Sequence, residues 1–141
     1  MGATIYGEGL DMNCCGEILT ASWRKDQPLQ VWDFETAEIK NVIDWNAGYG
    51  GKEKLKSSTL LYCCKFSKNF GRLIFAGGSQ INSAKIFDYE GRIIASIDKL
   101  SRACLALDSS NDVTNKDYQL LALGGGEGII RLYRIQSNNN N

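Results

Sequence analysis

Cysteine is the side chain with the most chemistry to offer in this sequence, as Cys14–Cys15, Cys63–Cys64 and a single Cys104. A thiol or hydroxyl nucleophile needs a base, and the commonest one, histidine, is absent from the chain. A Cys or Ser paired with Lys is the nucleophilic option left. Zinc asks for spaced Cys pairs or for Cys with His. Adjacent cysteines on a strand point to opposite faces, so they suit neither one metal nor one bridge. Cys63, Cys64 and Cys104 fall inside apolar runs, where a free thiol behaves as a small buried hydrophobe. These residues predict no metal, no cofactor and no disulfide framework. A reducing cytosolic compartment fits them.

Three other groupings carry weaker chemistry. Gly124–Gly128 reads "GGGEG", a candidate phosphate loop, but a nucleotide loop opens a helix. The next residues, "IIRLYRI", alternate like a strand, so a tight turn is the better reading. Asp108, Asp112 and Asp117 sit together in one loop and read as solvated charges. Lys52, Lys54 and Lys56 form a small basic cluster able to touch an acidic surface or an RNA backbone. Finally, "WRKDQP" places the large aromatic Trp23 beside Arg24 and Lys25, a combination suited to anchoring a protein partner.

The bulk of the sequence bounds these options. Sixteen basic and sixteen acidic residues cancel, so no global charge points to nucleic acid or an anionic membrane. No apolar stretch nears the ~18 residues of a membrane span, and the first ten residues carry no secretory pattern. The 141 residues are one domain's worth of chain.

The elements that must hold these residues come in repeats. "EILTASW" (17–23), "RLIFAGG" (72–78) and "QLLALGG" (119–125) are each followed by a polar gap and then by "LQVWD", "AKIFD" or "IIRLYR". Another apolar run precedes each one: "GLDM" (9–12), "LLYCCKF" (60–66) and "ACLALD" (103–108). The first two units add a fourth, "EIKNVI" (38–43) and "RIIASI" (92–97). The runs are short, rich in Ile, Leu, Val and aromatics, and bounded by turn residues, which predicts an all-β chain. Several are apolar on both faces, so both sides of each sheet are covered. Repeated four-stranded antiparallel units of this kind are blades of a β-propeller.

At "TASWRKDQPLQVWD" the chain resembles the WD-repeat family, whose unit ends its third strand in Trp-Asp, here Trp32–Asp33. The family's turn Asp, six residues before that Trp, has its counterpart in Asp26, and Glu127 stands likewise before Tyr133. The middle unit offers Phe87–Asp88, with Ile81 at the turn position, so that turn must be organised differently. Without His, the hydrogen-bond relay typical of the family cannot form in full. The resemblance implies a shortened version, in which Asp26 or Glu127 bonds turn amides and Trp32 fills the gap between blades.

The expectation is one domain, residues 1–137, a partial propeller with blades at about 3–45, 58–100 and 101–136 and an Asn-rich tail at 138–141. The third blade lacks its outer strand. "ATIY" (3–6) reads as a spare strand that closes the last blade or belongs to an upstream one. Propellers close with about four to eight blades, so three units call for company: further blades, a second copy or another subunit. The function implied is a non-catalytic scaffold inside a larger assembly, anchored through Trp23, Arg24 and Lys25. The Asn tail resembles low-complexity ends common in protist proteins, while the extended Gly/Lys loop, "ASWRKDQPLQVWD" and the divergent blades resemble WD-repeat proteins of cilia, so the setting implied is cytoplasmic, in a ciliary or other cytoskeletal assembly. Two alternatives stay open: an RNA-associated subunit using Lys52, Lys54 and Lys56, and an enzyme with a convergent site.

Overall fold

Strand β1 (Leu10–Met12) pairs antiparallel with β2 (Glu17–Ala21), which pairs with β3 (Leu29–Asp33) and then β4 (Ile39–Ile43). This is the simplest meander, each strand hydrogen-bonded to its neighbour in sequence. The structure is a computed structural model that describes residues 2–47, 59–68, 72–110 and 118–136. A second meander holds β5 (Leu60–Phe66), β6 (Leu73–Ser79), β7 (Ala84–Asp88) and β8 (Ile93–Ile97). A third has three strands, β9 (Cys104–Ser109), β10 (Tyr118–Gly125) and β11 (Ile130–Gln136). The sheets follow one another in space, with the edge strands β1, β5 and β9 drawn together. The architecture is a partial β-propeller of three antiparallel blades, the last with three strands among the described residues.

The two-faced apolar strands explain the stacking. In β6, Ile74 and Ala76 face the first sheet while Phe75 faces the third, and all three are fully buried. Such a strand cannot be satisfied by one layer, so sheets pack on both of its faces.

The turns between third and fourth strands use one device twice. Asp33 Oδ1 accepts the backbone N–H groups of Glu35 (3.0 Å) and Thr36 (2.9 Å), and Ala37 takes a positive φ. Asp88 Oδ1 accepts the N–H of Arg92 at 2.8 Å, while Asp88 Oδ2 accepts Arg92 Nε at 2.5 Å and Gly91 takes φ 87°. An acceptor side chain at the start of the turn offsets the cost of left-handed backbone at its end. The N–H of Thr36 is the main cause holding the Asp33 carboxyl below its usual range.

The turn of the middle blade, around Ile81, is made by positive φ at Gln80 and Asn82 and closed by Gly78 N–H on Ser83 O at 3.1 Å. Residues 3–6 form no strand. Thr4 is tied to the first sheet instead: its N–H donates to Ser22 Oγ (2.8 Å) and its carbonyl accepts from Trp23 N–H (2.8 Å). Ser22 is 1% exposed, so this bond secures a buried hydroxyl, which decides where the segment goes.

Candidate partner-binding surface

The sheets carry two sets of connections at opposite ends. At one end lie the β2–β3, β6–β7 and β10–β11 turns and residues 2–9. At the other lie the β1–β2, β3–β4 and β7–β8 turns.

Trp23 sits at the first end, in the β2–β3 turn. It is 39% exposed, which is high for the largest apolar side chain. Tying Thr4 to Ser22 and Trp23 brings Tyr6 alongside, its ring centroid 5.1 Å from that of Trp23 at an interplanar angle of 60°. Tyr62 of β5, in the second sheet, meets the other side of Trp23 at 6.4 Å and 62°. Both contacts are edge-to-face, the arrangement that aromatic quadrupoles favour. Gly7 lets the segment pass over β5: it has φ 64°, and a Cβ there would lie 3.2 Å from the Tyr62 carbonyl oxygen. The result is a short aromatic row from three distant parts of the sequence, with Tyr6 51% exposed at its outer end. Arg24 folds back beside it, Nη2 donating to Gln27 O at 3.2 Å and Nη1 to Gly2 O at 3.5 Å. Lys25 is exposed. A fixed aromatic surface with cations at its border is chemistry for gripping a protein segment.

Asp26 departs from its expected role. It is exposed and makes no hydrogen bond among the described residues, and the turn is closed by Ser22 N–H on Pro28 O at 2.6 Å. Glu127 is differently placed: Oε1 accepts the N–H and Oγ of Ser101 (2.6 and 2.7 Å), and Oε2 accepts Arg131 Nε at 3.0 Å. Those bonds, Ser101 first and then Arg131, bring its carboxyl down to about 2. Lys52, Lys54 and Lys56 lie outside the described residues.

Trp32 donates its indole N–H to Thr20 Oγ1 at 2.9 Å, which in turn donates to Gln30 O at 3.4 Å. It is half-buried and lies on the face of the first sheet turned away from the second, near exposed Leu10, Met12 and Val42. Phe87, at the matching position of β7, is fully buried against the first sheet and Trp45, and Tyr133 of β11 packs toward the second.

The sequence pattern missed a polar clasp at the opposite end. Glu17 Oε1 accepts Lys40 Nζ (2.7 Å) and the hydroxyl of Tyr89 (2.5 Å), and Oε2 accepts Asn13 Nδ2 (2.8 Å). Burial alone would raise the Glu17 carboxyl, but Lys40, Tyr89 and Asn13 outweigh it and the group stays below its usual range. Burial and the Glu17 contact together push the Tyr89 phenol up to about 12. A second missed contact lies deeper, where Lys85 donates to Trp45 O at 2.8 Å with its ammonium 4.9 Å from the indole centroid. No local signal announces either contact, because the partners are 72 and 40 residues apart.

No family model matches the sequence, and no curated protein matches it. Solved structures do. Saccharomyces cerevisiae Sqt1 superposes with TM-score 0.61 at 12% identity, covering 86% of this chain and 29% of that one. A chain of the Mitotic Checkpoint Complex gives TM-score 0.61 at 16% identity, over 91% of this chain and 34% of that one. The Cps50 (Swd1) β-propeller domain of Myceliophteria thermophila gives 0.59 at 13%, over 94% and 40%. These are WD-type propellers, and the likeness shows that fold. The chain spans about a third of the length of each.

Proposed function

We propose that this three-bladed stretch of WD-type propeller is a non-catalytic interaction module, whose stacked sheets hold an aromatic row rigid for a protein partner. The observation that carries the reading is the Tyr6–Trp23–Tyr62 row, exposed at one end yet fixed by backbone hydrogen bonds to Thr4 and by a buried strand. Preorganised aromatics lose little entropy on binding, so a few of them supply much of the affinity.

The sheet faces support a second kind of contact within the same reading. Trp32 occupies on the first sheet the position that Phe87 and Tyr133 use to fill boundaries between sheets, so a further blade, from this polypeptide or another subunit, packs there. A cytoplasmic setting in a ciliary or other cytoskeletal assembly is supported by the likeness of the divergent units and the extended Gly/Lys loop to ciliary WD-repeat proteins.

Native pull-downs with the unaltered chain, Trp23→Ala, Tyr6→Ala and a Lys52→Gln/Lys54→Gln/Lys56→Gln variant test the reading. Loss of captured protein in the two aromatic variants, with an unchanged circular dichroism spectrum, is expected. Capture that survives both but fails, in a salt-dependent way, in the lysine variant would replace this reading with the RNA-associated one.

A further inference from the structure

Two buried thiols meet where the second and third sheets pack. Cys63 of β5 and Cys104 of β9 stand with their sulfurs 3.8 Å apart, 41 residues from each other in sequence. They are 0% and 2% exposed. The space they share exists because residue 77 has no side chain. A Cβ on Gly77 would lie 2.6 Å from Cys104 Sγ, closer than packed atoms tolerate, and 3.3 Å from Cys63 Sγ, a tight contact. Beside Cys104 a cleft of about 10 Å³ opens between Ala103, Leu123, Gly125 and Glu127. That is room for one water-sized molecule. Cys64, the next residue along β5, points to the opposite face, its sulfur 3.7 Å from Leu19 O in the first sheet.

We propose that Cys63 and Cys104 form a redox latch, closed to a disulfide by hydrogen peroxide, that joins the second sheet covalently to the third. Cys104 reacts first, since the cleft reaches it. The S–H of Cys63 beside it favours its thiolate against the opposing effect of burial. The same hydrogen bond, with burial, holds the proton on Cys63. The Cys104 thiolate attacks one peroxide oxygen, the O–O bond breaks, and the departing hydroxide takes up the proton that Cys104 gave up, leaving as water. Cys104 is then a sulfenic acid. Cys63 attacks that sulfur, the S–O bond breaks, and the hydroxyl leaves as a second water with the Cys63 proton. Two thiols and one hydrogen peroxide thus give one disulfide and two waters, with sulfur oxidised and peroxide oxygen reduced. The sulfurs must close to about 2.05 Å, a movement of under ~2 Å.

The full-length chain carrying Cys14→Ser and Cys15→Ser, which removes the exposed thiols, is exposed to hydrogen peroxide under native conditions. It is then alkylated in denaturant and mapped by peptide mass. The expected product is a single Cys63–Cys104 link with Cys64 alkylated. Its thermal midpoint rises by roughly 5–10 °C and returns on adding dithiothreitol. Adding Cys104→Ser abolishes the rise, and the dithiothreitol reversal serves the same purpose should that variant not fold. A link through Cys64, a link formed only in denaturant, or thiols unchanged by prolonged peroxide would each overturn the latch.

Discussion

The first and second sheets are joined differently from the second and third. Among the described residues, the first boundary gathers twelve buried residues, including Leu19, Leu61, Phe87 and Trp45, and the second gathers eight. The first is also tied by polar bonds at several levels. Glu17, itself held by Lys40, accepts the Tyr89 hydroxyl at one end, and Asp11 Oδ2 accepts Phe66 N–H at 2.8 Å. Lys85 reaches Trp45 at the other end. At the second boundary the described ionic link is Lys68–Asp108 (3.1 Å), with the two side chains 40% and 63% exposed. Polar groups removed from water discriminate between packed and unpacked states far more than exposed ones. By its larger buried cluster and its desolvated polar ties, the first pair of sheets is the rigid half of the molecule; it carries Tyr62 and the Trp23 turn and anchors the segment that bears Tyr6. The third sheet is the looser attachment, where a covalent latch has most to add.

The largest test of this contrast removes matched leucines. Leu19 and Leu121 are 0% and 1% exposed, and each reaches the second sheet from one side. Leu19→Ala should cost about 4 kcal/mol, because a fully walled site cannot collapse around the cavity. Leu121→Ala should cost about 2–3 kcal/mol, since the thinner boundary relaxes. Urea midpoints at constant m-value measure both, and the contrast breaks if Leu121→Ala proves the costlier.

The clasp gives a smaller effect with a pH signature. Tyr89→Phe leaves Glu17 without one donor and should cost about 1.5 kcal/mol at pH 7. Because the folded Tyr89 phenol sits at about 12, above the unfolded value of ~10, its contribution is whole below pH ~10. It is lost as pH rises toward 12. Tyr89→Phe should therefore flatten the alkaline limb of a plot of urea midpoint against pH. Glu17 acts in the other direction: its folded carboxyl is depressed, so its contribution is present above ~4.3 and lost as pH falls below. Glu17→Gln should flatten the acid limb. An alkaline limb unchanged by Tyr89→Phe would remove the clasp from the account of why the first boundary is stronger.

Much of the fold was legible because strand-forming runs and turn residues agree along the chain. "LIFA" announces burial on both faces, and Asp33 and Asp88 announce the turns they cap. The relay was half legible. Trp32 was readable, but its acceptor Thr20 was not, because a threonine in "EILTASW" reads equally well as an ordinary strand residue. Asp26 and Glu127 occupy equivalent sequence positions with opposite outcomes. Glu127 has Ser101 and Arg131 within reach, whereas no described residue bonds Asp26, so spacing alone could not separate them. At the candidate site Trp23 was readable as a large aromatic in a turn. Tyr6 and Tyr62 were not, since it is the buried hydroxyl of Ser22 that draws the first residues across the sheet.

The smallest predicted effect sharpens the comparison from the other side. Lys68 Nζ lies 3.1 Å from Asp108 Oδ1 across the second boundary, a distance that by itself would suggest a strong tie. Both groups remain hydrated, however, and holding a long lysine in one rotamer costs entropy that an exposed ion pair barely offsets. Lys68→Ala should therefore change stability by no more than about 0.5 kcal/mol, and that difference should vanish at 1 M salt, where the screening length falls to about 3 Å. A loss matching that of Tyr89→Phe, persisting in salt, would mean that the second boundary has its own desolvated clasp. The third sheet would then belong to the rigid half, and a disulfide there would have little motion left to restrain.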